Sequence, residues 1–198
     1  MTRLAICGDG IIFPAMPTVD SDWKPFAFKE WQVICDALES GEQSIILRKG
    51  GISEGKLGFQ WLHDRFFLFP TFFHEQVEQV TPDAAGQPRT FRPQRAGGEE
   101  IEIRLFAETV ETRRLTDWEE IMALAPEHIW TEQVIRERYE WGDEEYGISL
   151  ARLRVFRLPE PWVLKDRAGF GGCRSWIGLP ADEHPDLPAL LAEAQPIG

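Results

Sequence analysis

The chain is poor in cysteine, and its three cysteines are too widely spaced to form a familiar metal or redox motif. Cys7, Cys35 and Cys173 are odd in number, and no CxxC pair occurs among the 198 residues. Zinc sites and dithiol redox sites depend on closely spaced cysteines, so the pattern predicts neither a metal nor a redox cofactor. We expect a reduced, cytoplasmic protein.

Long hydrophobic runs and familiar enzyme motifs are also missing. No apolar stretch approaches the length of a transmembrane helix, and Gly8-Asp9-Gly10 interrupts the apolar N-terminal patch that a signal peptide would need. A phosphate-binding P-loop, a dinucleotide fingerprint and a Gly-x-Ser-x-Gly nucleophile turn do not occur. We therefore expect no membrane contact, and no motif decides whether the protein is an enzyme.

Positive charge is scarce. The chain has 21 basic and 33 acidic residues, a net charge of −12. This excludes a general nucleic-acid coat, because phosphate binding requires a positive surface. The acidic residues concentrate in residues 105–145, which carry a net charge of −8, whereas residues 1–74 carry only −2. A local basic face remains compatible with this distribution.

Aromatic residues and regular apolar patterns are abundant. Apolar residues at helical spacing predict a helix over residues 26–40, with Gly41 as its left-handed C-cap. Alternating patterns predict strands over residues 43–48, 101–113 and 148–158, and shorter runs predict strands over 59–62, 66–69 and 174–179. Pro70 and Pro159 are expected to end their strands.

Two further helices are indicated by their N-terminal residues. Thr116-Asp117-Trp118-Glu119 has the capping-box pattern, and Thr131 can cap the next helix. Few helical segments are long enough to connect parallel strands. The predicted fold class is therefore α+β, a small, mainly antiparallel β-barrel or curved sheet flanked by helices.

The chain length favours one domain. We predict an N-terminal extension over residues 1–25, a single α+β domain over 26–180 and a peripheral tail over 181–198. Residues 81–98 are rich in proline and glycine and predict a mobile loop. Arg89, Arg92 and Arg95 in this loop are either a phosphate-contacting arm or ordinary solvated charges.

Five short segments together resemble the bacterial family called domain of unknown function 1802. They are Lys29-Glu30-Trp31, Leu47-Arg48-Lys49-Gly50-Gly51-Ile52, Phe69-Pro70-Thr71, His128-Ile129-Trp130 and Gly171-Gly172-Cys173-Arg174-Ser175-Trp176. The resemblance covers residues 29–179 and implies no particular activity.

A weaker resemblance is to the PUA-like barrels of the ASCH group, which are associated with RNA binding and, in some members, with modified nucleosides. Those barrels usually have Gly-x-Lys-x-x-Glu/Thr-x-Arg. This chain keeps Gly41 and Arg48 but has Gln43 in place of the Lys and Ile46 in place of the acid or Thr. The resemblance therefore implies a PUA-like fold, and the two departures from the pattern argue against amidohydrolase chemistry. Fold alone does not assign function.

The strongest candidate binding residues are Arg48 and Lys49, which close a predicted strand before two glycines. Arginine is suited to bidentate phosphate recognition, and glycines let backbone amides approach a phosphate. Further candidate ligand-binding residues are Arg65, Arg154, Arg157 and Arg174, with Trp176 as a face on which a base can stack. We predict that the protein binds a nucleotide or single-stranded RNA or DNA.

Two alternatives remain open. The first is a hydrolase acting on a nucleoside derivative, with His63 or His74 as base and Lys49 as electrostatic stabiliser. The second is an interaction module whose acidic helices bind a basic protein partner. His63-Asp64 is only half of a metal-dependent hydrolase signature, so no metal site is predicted. His128 is expected to be a packed structural residue.

Overall fold

The computed structural model describes residues 4–6, 12–14, 19, 23–49, 59–72, 74–90, 100–141, 146–180, 183 and 186–198. Its strands are β1 (Leu4–Ile6), β2 (Ile12–Pro14), β3 (Phe26–Trp31), β4 (Ile45–Arg48), β5 (Arg65–Thr71), β6 (Glu100–Leu115), β7 (Ile148–Lys165), β8 (Trp176–Gly178) and β9 (Gln195–Pro196). Its α-helices are α1 (Gln32–Ser40), α2 (Trp118–Ala123), α3 (Glu132–Glu140) and α4 (Leu187–Ala192), and 3₁₀ turns cover His74–Gln79, Ala125–Glu127 and Ala168–Phe170.

A seven-stranded sheet organises the described chain. Its order is β4-β7-β6-β5-β3-β8, and β9 also pairs with β7. The β3–β5 pair is parallel, and the other described pairs of this sheet are antiparallel. The predicted α+β class is confirmed, and the described strands form an open sheet rather than a closed barrel. The strands predicted over 43–48, 101–113 and 148–158 are β4, β6 and β7. They share one sheet, in which β7 lies between β4 and β6.

The helix predicted over residues 26–40 is wrong in its first six residues. Phe26–Trp31 is strand β3, and only Gln32–Ser40 is helical. Ala27 and Phe28 are both fully buried but belong to different hydrophobic clusters, one on each face of the sheet. A strand buried on both faces has continuous apolar residues, which a helical spacing can match by chance.

Both prolines that were expected to end strands lie inside them. Pro70 pairs with Glu30 of β3, while the pairing of β5 with β6 covers only Arg65–Phe67, so one side of β5 is unpaired at Pro70. Pro159 lies in β7 where the register with β6 shifts between Ile103 and Leu105. Proline is tolerated at unpaired edges and bulges because it has no ladder hydrogen bond to donate there.

The predicted strand over residues 59–62 is also absent from this described part of the chain. Phe59 and Trp61 instead pack their rings against Phe28, at centroid distances of 5.9 and 5.2 Å. Aromatic side chains bury large areas in either conformation, so the apolar run did not distinguish strand from packed loop.

Two hydrophobic clusters lie on opposite faces of the sheet. Side chains alternate across a strand, so Phe66 and Leu68 join one cluster and Phe67 and Phe69 the other. Buried residues of α1, α2 and α3 belong to the first cluster, and those of α4 to the second. The two layers of helices therefore hold the sheet between them.

The helix ends follow their local sequence signals with one exception. Gly41 ends α1 at φ 80°, and the Thr131 side chain accepts a hydrogen bond from the Val134 amide at the start of α3, as predicted. Helix α2 begins one residue later than the capping-box pattern indicated. Asp117 rather than Thr116 is its N-cap, and its carboxylate accepts from the Glu120 amide.

The division into extension, domain and tail stays a prediction. In the tail, three α4 leucines, Leu187, Leu190 and Leu191, are buried in the second cluster. In the predicted loop, Arg89 forms an ion pair with Glu42, and residues 81–90 hold a turn. Arg92 and Arg95 lie outside the described residues, as do Gly50 and Gly51.

Candidate functional site

A cavity of about 290 Å³ lies where β3, β4 and α3 meet. Its lining residues are Trp31, Arg48, Lys49, Gln79, Val134, Glu137, Arg138 and Trp141. We call it the arginine cavity. Among these described residues, two guanidinium groups, one ammonium group and two tryptophan rings contribute to the lining, against one carboxylate.

A buried ion pair supports the first guanidinium. Glu30 is fully buried, and its Oε2 lies 3.5 Å from Nη2 of Arg48, which also donates to the Lys29 carbonyl at 2.6 Å. The other Glu30 oxygen accepts from the Trp31 amide at 2.8 Å. The Arg48 guanidinium lies over the ring of Phe28, 5.0 Å from its centroid. Ion pair and ring together fix Arg48 at the end of β4.

The second guanidinium, that of Arg138, is held between two indole rings. It lies 4.9 Å from the ring centroid of Trp31 and 4.6 Å from that of Trp130, and Nη1 donates to the Leu47 carbonyl at 2.7 Å. Burial first, and then the positive charge of Arg48, lower the pKa of Arg138 to about 9, with Glu30 opposing the shift. Arg138 therefore remains charged at neutral pH, close enough to Arg48 for the two charges to repel.

The remaining groups of the cavity are more accessible. Lys49 follows Arg48 and its Nζ donates to the Tyr139 carbonyl at 2.8 Å, near the end of α3. Trp141 is 58% exposed and ends α3. Glu137 is an exposed residue of the same helix. One indole ring is thus open to solvent beside the cationic groups.

A histidine outside the lining stays uncharged near this site. Burial, followed by the charge of Arg138, lowers the pKa of His128 to about 4. Its ring lies 5.5 Å from that of Trp130. His128 is therefore a neutral packed residue at pH 7, as the sequence predicted, and adds no charge to the cavity.

Segments far apart in the sequence meet around Glu30. The Thr71 hydroxyl donates to the Glu30 carbonyl at 3.0 Å, and the Lys29 amide donates to the Ser175 carbonyl at 2.8 Å. The Lys29 ammonium donates to the carbonyls of Phe170 and Gly172. Together with the contacts of Arg48 and Trp130, these bonds bring all five segments of the family resemblance to one region.

Two other cavities of about 280 Å³ contain cationic side chains that already bond to other groups of the protein. One contains Lys29, whose ammonium donates to two backbone carbonyls. The other contains Arg152 and Arg154, which form ion pairs with Glu127 and Glu108. In the arginine cavity each cation also donates to a backbone carbonyl, but the two guanidiniums share a single buried carboxylate.

Several predicted ligand-binding residues lie elsewhere. Arg65 and Arg154 flank Glu108 in one row across β5, β6 and β7, and Arg154 pairs with Glu108 at 3.1 Å. Arg157 forms an ion pair with Glu39 at 3.2 Å. The register thus brings Arg65 and Arg154 together, but not in the lining that contains Arg48 and Lys49.

The predicted stacking residue Trp176 lies in an aromatic cluster. Its ring contacts those of Phe28, Phe66 and His63 at centroid distances of 5.0 Å each, and Nε1 donates to the Gln60 carbonyl. Arg174, two residues earlier, donates to the Gly169 carbonyl. Trp176 is half-buried, so the base-stacking role stays a prediction.

The candidate catalytic residues are not gathered into one lining. His63 stacks on Phe26 at 3.9 Å, and burial lowers its pKa, while neighbouring Asp64 partly offsets this. Lys49 lines the arginine cavity, whose described lining contains no histidine. The side chain of His74 lies outside the described residues. The catalytic roles of Lys49, His63 and His74 stay predictions.

Within the described residues, no group of three or more potential ligands is placed to hold a metal ion. No helix of that part of the chain is long and apolar enough to cross a membrane. The cytoplasmic location stays a prediction.

The sequence patterns missed three residues of the site, namely Glu30, Trp31 and Arg138. The sequence pattern places Glu30 and Trp31 in a helix. It therefore gives no reason to expect the contact of Glu30 with Arg48 or of Trp31 with Arg138. The pattern around Arg138 indicates only a helix that Thr131 caps. One sequence signal could have identified Glu30. It lies two residues after the apolar residues Phe26-Ala27-Phe28, and a charged residue within a buried strand needs a partner of opposite charge.

Comparisons with known proteins identify a family and an overall likeness. The protein is similar to the crystal structure of ASCH from Zymomonas mobilis, with 17% identity, a TM-score of 0.47, and coverage of 86% of this chain and 96% of that chain. A serine-to-alanine mutant of the Zymomonas protein matches with 15% identity and a TM-score of 0.49, over 84% and 96% of the two chains. No function is transferred at this level of similarity. A comparison with curated proteins finds no match.

The chain belongs to the family described as domain of unknown function DUF1802, which matches residues 27–195. The family predicted from the five segments is thereby confirmed.

Proposed function

We propose that the protein binds a nucleotide, or single-stranded RNA or DNA, by holding a phosphate in the arginine cavity. The observation that carries this proposal is the pair of mutually repelling guanidiniums, Arg48 and Arg138, each stacked on aromatic rings in one cavity beside Lys49. An anion between like charges lowers their repulsion, and arginine binds phosphate through paired N–H donors.

The donor groups support the same function. Arg138 has five N–H donors, and Nη1 alone donates to an acceptor among the described residues. The other N–H groups of Arg138 can donate to the oxygens of a phosphate in the cavity.

The tryptophans support a ligand with a base rather than a simple anion. Trp141 is 58% exposed and lies at the same cavity as Arg138. Stacking of a base on an aromatic ring contributes about 1–3 kcal/mol and accepts any base. The cavity therefore offers both a phosphate contact and a stacking face.

A matched pair of variants on α3 tests the proposal. Arg138→Met removes a cation of the cavity, whereas Arg136→Met removes an exposed cation that pairs with Glu132 and Glu140. We expect Arg138→Met to weaken binding of a fluorescent single-stranded oligonucleotide and of nucleoside monophosphates by about 10-fold or more, the loss of one charge-assisted hydrogen bond. Arg136→Met should bind like the parent.

Arg138→Met also removes the bond to Leu47, so folding needs an independent check. Lys49→Gln is the second test, because its substitution leaves the two stacked guanidiniums in place and should also weaken binding. Circular dichroism must show folded variants. Equal affinities for the parent, Lys49→Gln and folded Arg138→Met would contradict the proposal, as would absence of binding by the parent at low salt.

The double variant Arg48→Ala with Lys49→Ala is a less selective test. Its loss of binding follows from the same reasoning, but Arg48 is the ion-pair partner of the buried Glu30. Removing one member of a buried pair destabilises a protein by about 3–5 kcal/mol, so loss of binding can then follow from unfolding.

The hydrolase and the interaction module remain alternatives. The cavity contains Lys49 without a described histidine, so binding is the function that the geometry supports best. Capture of a basic protein by a parent that binds no nucleotide would favour the interaction module instead.

A further inference from the structure

We infer that the ligand is one nucleotide unit with a terminal phosphate, either a free mononucleotide or the phosphorylated end of a strand, rather than the interior of a strand. This inference rests on the proposed function and narrows its ligand class. It follows from two observations. Three cationic groups line the arginine cavity, and the arginines of β7 outside this cavity form ion pairs with carboxylates of the protein.

The cationic groups of the cavity suit a monoester better than a diester. Arg48, Lys49 and Arg138 all line it, with Glu30 and Glu137 as the nearby carboxylates. A phosphate monoester carries about −1.5 to −2 charges at neutral pH, whereas each interior phosphate of a strand carries one. The terminal phosphate therefore gains more from three cations placed together.

The arginines of β7, which lie outside the lining of the cavity, are neutralised by the protein. Arg152, Arg154 and Arg157 form ion pairs with Glu127, Glu108 and Glu39, respectively. A strand bound at any of them would have to displace its carboxylate. Its phosphates would gain little net attraction there.

The region of the chain that contains α3 is acidic overall. Glu137 lines the cavity as an exposed carboxylate, whereas the exposed Glu132 and Glu140 pair with Arg136. Residues 105–145, which include α3, carry a net charge of −8. A polyanion extending past Trp141 would meet like charge, which lowers its affinity at low ionic strength.

The size of the cavity agrees with one unit. Its volume of about 290 Å³ is just below the range of roughly 300–1,000 Å³ for small-ligand sites. A single base on Trp141 with its phosphate between the arginines suits this space, and a longer segment would lie outside it.

The experiment compares ligands that differ only in their ends. Calorimetry would measure the parent with a nucleoside, its 5′- and 3′-monophosphates, inorganic phosphate, and a single-stranded oligonucleotide with a hydroxyl or a phosphate at either end. We expect at least one monophosphate to bind about 10-fold or more tightly than the nucleoside and than inorganic phosphate. Oligonucleotides should bind only with a terminal phosphate, with an affinity independent of length.

The two sources of the ligand are distinguished by the same data. Equal affinity for the monophosphate and the phosphorylated oligonucleotide identifies a strand end, and binding of the monophosphate alone identifies a free nucleotide. In either case the salt dependence should correspond to one phosphate contact rather than many. Lys49→Gln should reduce the preference for a terminal phosphate, and Arg136→Gln should leave it unchanged.

The results that would contradict this inference differ from those that would contradict the proposed function. If hydroxyl-ended oligonucleotides bind with an affinity that rises with length, the inference is wrong while the proposed function stands. If inorganic phosphate binds as tightly as every monophosphate, the nucleotide part of the inference is wrong. If no ligand in the set binds, both the inference and the proposed function fail.

Discussion

Glu30 is the residue whose replacement most directly tests the electrostatics of the arginine cavity. Glu30→Gln keeps the shape of the side chain and leaves an oxygen to accept the Trp31 amide, a bond of 2.8 Å in the parent. It removes the only carboxylate that is fully buried beside Arg48 in the described structure. The change therefore tests the negative charge of Glu30 separately from its shape and from its hydrogen bond to the Trp31 amide.

The expected loss of stability follows from burial. Removing one partner of a buried ion pair costs about 3–5 kcal/mol. The Arg48 side chain is 21% exposed and can recover part of its hydration, so we expect roughly 2–3 kcal/mol. For a domain of this size, a loss of 1 kcal/mol lowers Tm by about 2–4 °C, which predicts a shift of about 4–12 °C.

Thermal denaturation followed by circular dichroism at pH 7 measures this shift. Glu132→Gln is the matched control, because Glu132 is exposed and pairs with Arg136 on the surface of α3. Inorganic phosphate at a saturating concentration should raise the Tm of Glu30→Gln more than that of the parent, because the two guanidiniums then lack their carboxylate. A Glu30→Gln protein as stable as the Glu132→Gln control would refute the reasoning.

Two further predictions concern the stability contributed by residues outside the lining of the cavity. Gly41→Val should lower the free energy of unfolding by about 1–3 kcal/mol in urea denaturation, because φ is 80° and a Cβ would lie 3.3 Å from the Gly198 carbonyl oxygen; an unchanged midpoint would show that this cap tolerates a β-branched residue. His128 has a folded-state pKa of about 4, below its ordinary 6.5, so the unfolded chain binds a proton first and stability falls between pH 6.5 and 4 by up to about 3 kcal/mol. His128→Gln should be less sensitive over that interval, and identical pH profiles for variant and parent would contradict the assignment.

Elements with local signals were predictable from the sequence. Gly41 ends α1 and Thr131 begins α3 because each supplies a backbone conformation or an oxygen acceptor that few residues supply. The two long strands, β6 and β7, were predictable for a similar reason, since alternation of side chains marks a strand with two different environments. That they share one mainly antiparallel sheet with β4 also followed, because antiparallel pairing suits chains without crossover helices.

Elements that depend on distant partners were not predictable. Strand β3 is apolar on both faces, and only its position between β5 and β8 distinguishes it from the start of a helix. Pro70 and Pro159 are compatible with strands only where pairing is one-sided or shifted, and that is a property of the neighbouring strand. Register, unlike capping, is not a local property.

The residues of the candidate site likewise divide into those with a local sequence signal and those whose role depends on distant partners. Arg48 and Lys49 were predictable because they stand at a strand end before two glycines. Arg138 was not, because α3 carries Arg136 two residues earlier with the same composition around it. Arg136 lies over Trp118 on the surface, whereas Arg138 lies between Trp31 and Trp130, and the sequence of the helix does not separate the two environments.

The choice of arginine at positions 48 and 138 has a physical reason that also bears on affinity. An ammonium group is strongly hydrated and would lose that hydration between two indole rings, whereas a guanidinium is weakly hydrated and stacks on them. The protein therefore keeps two positive charges in a partly dry cavity, although its net charge is −12. In such an environment the effective dielectric constant is lower than in water, so an entering phosphate interacts more strongly with them than with the solvated arginines of the surface.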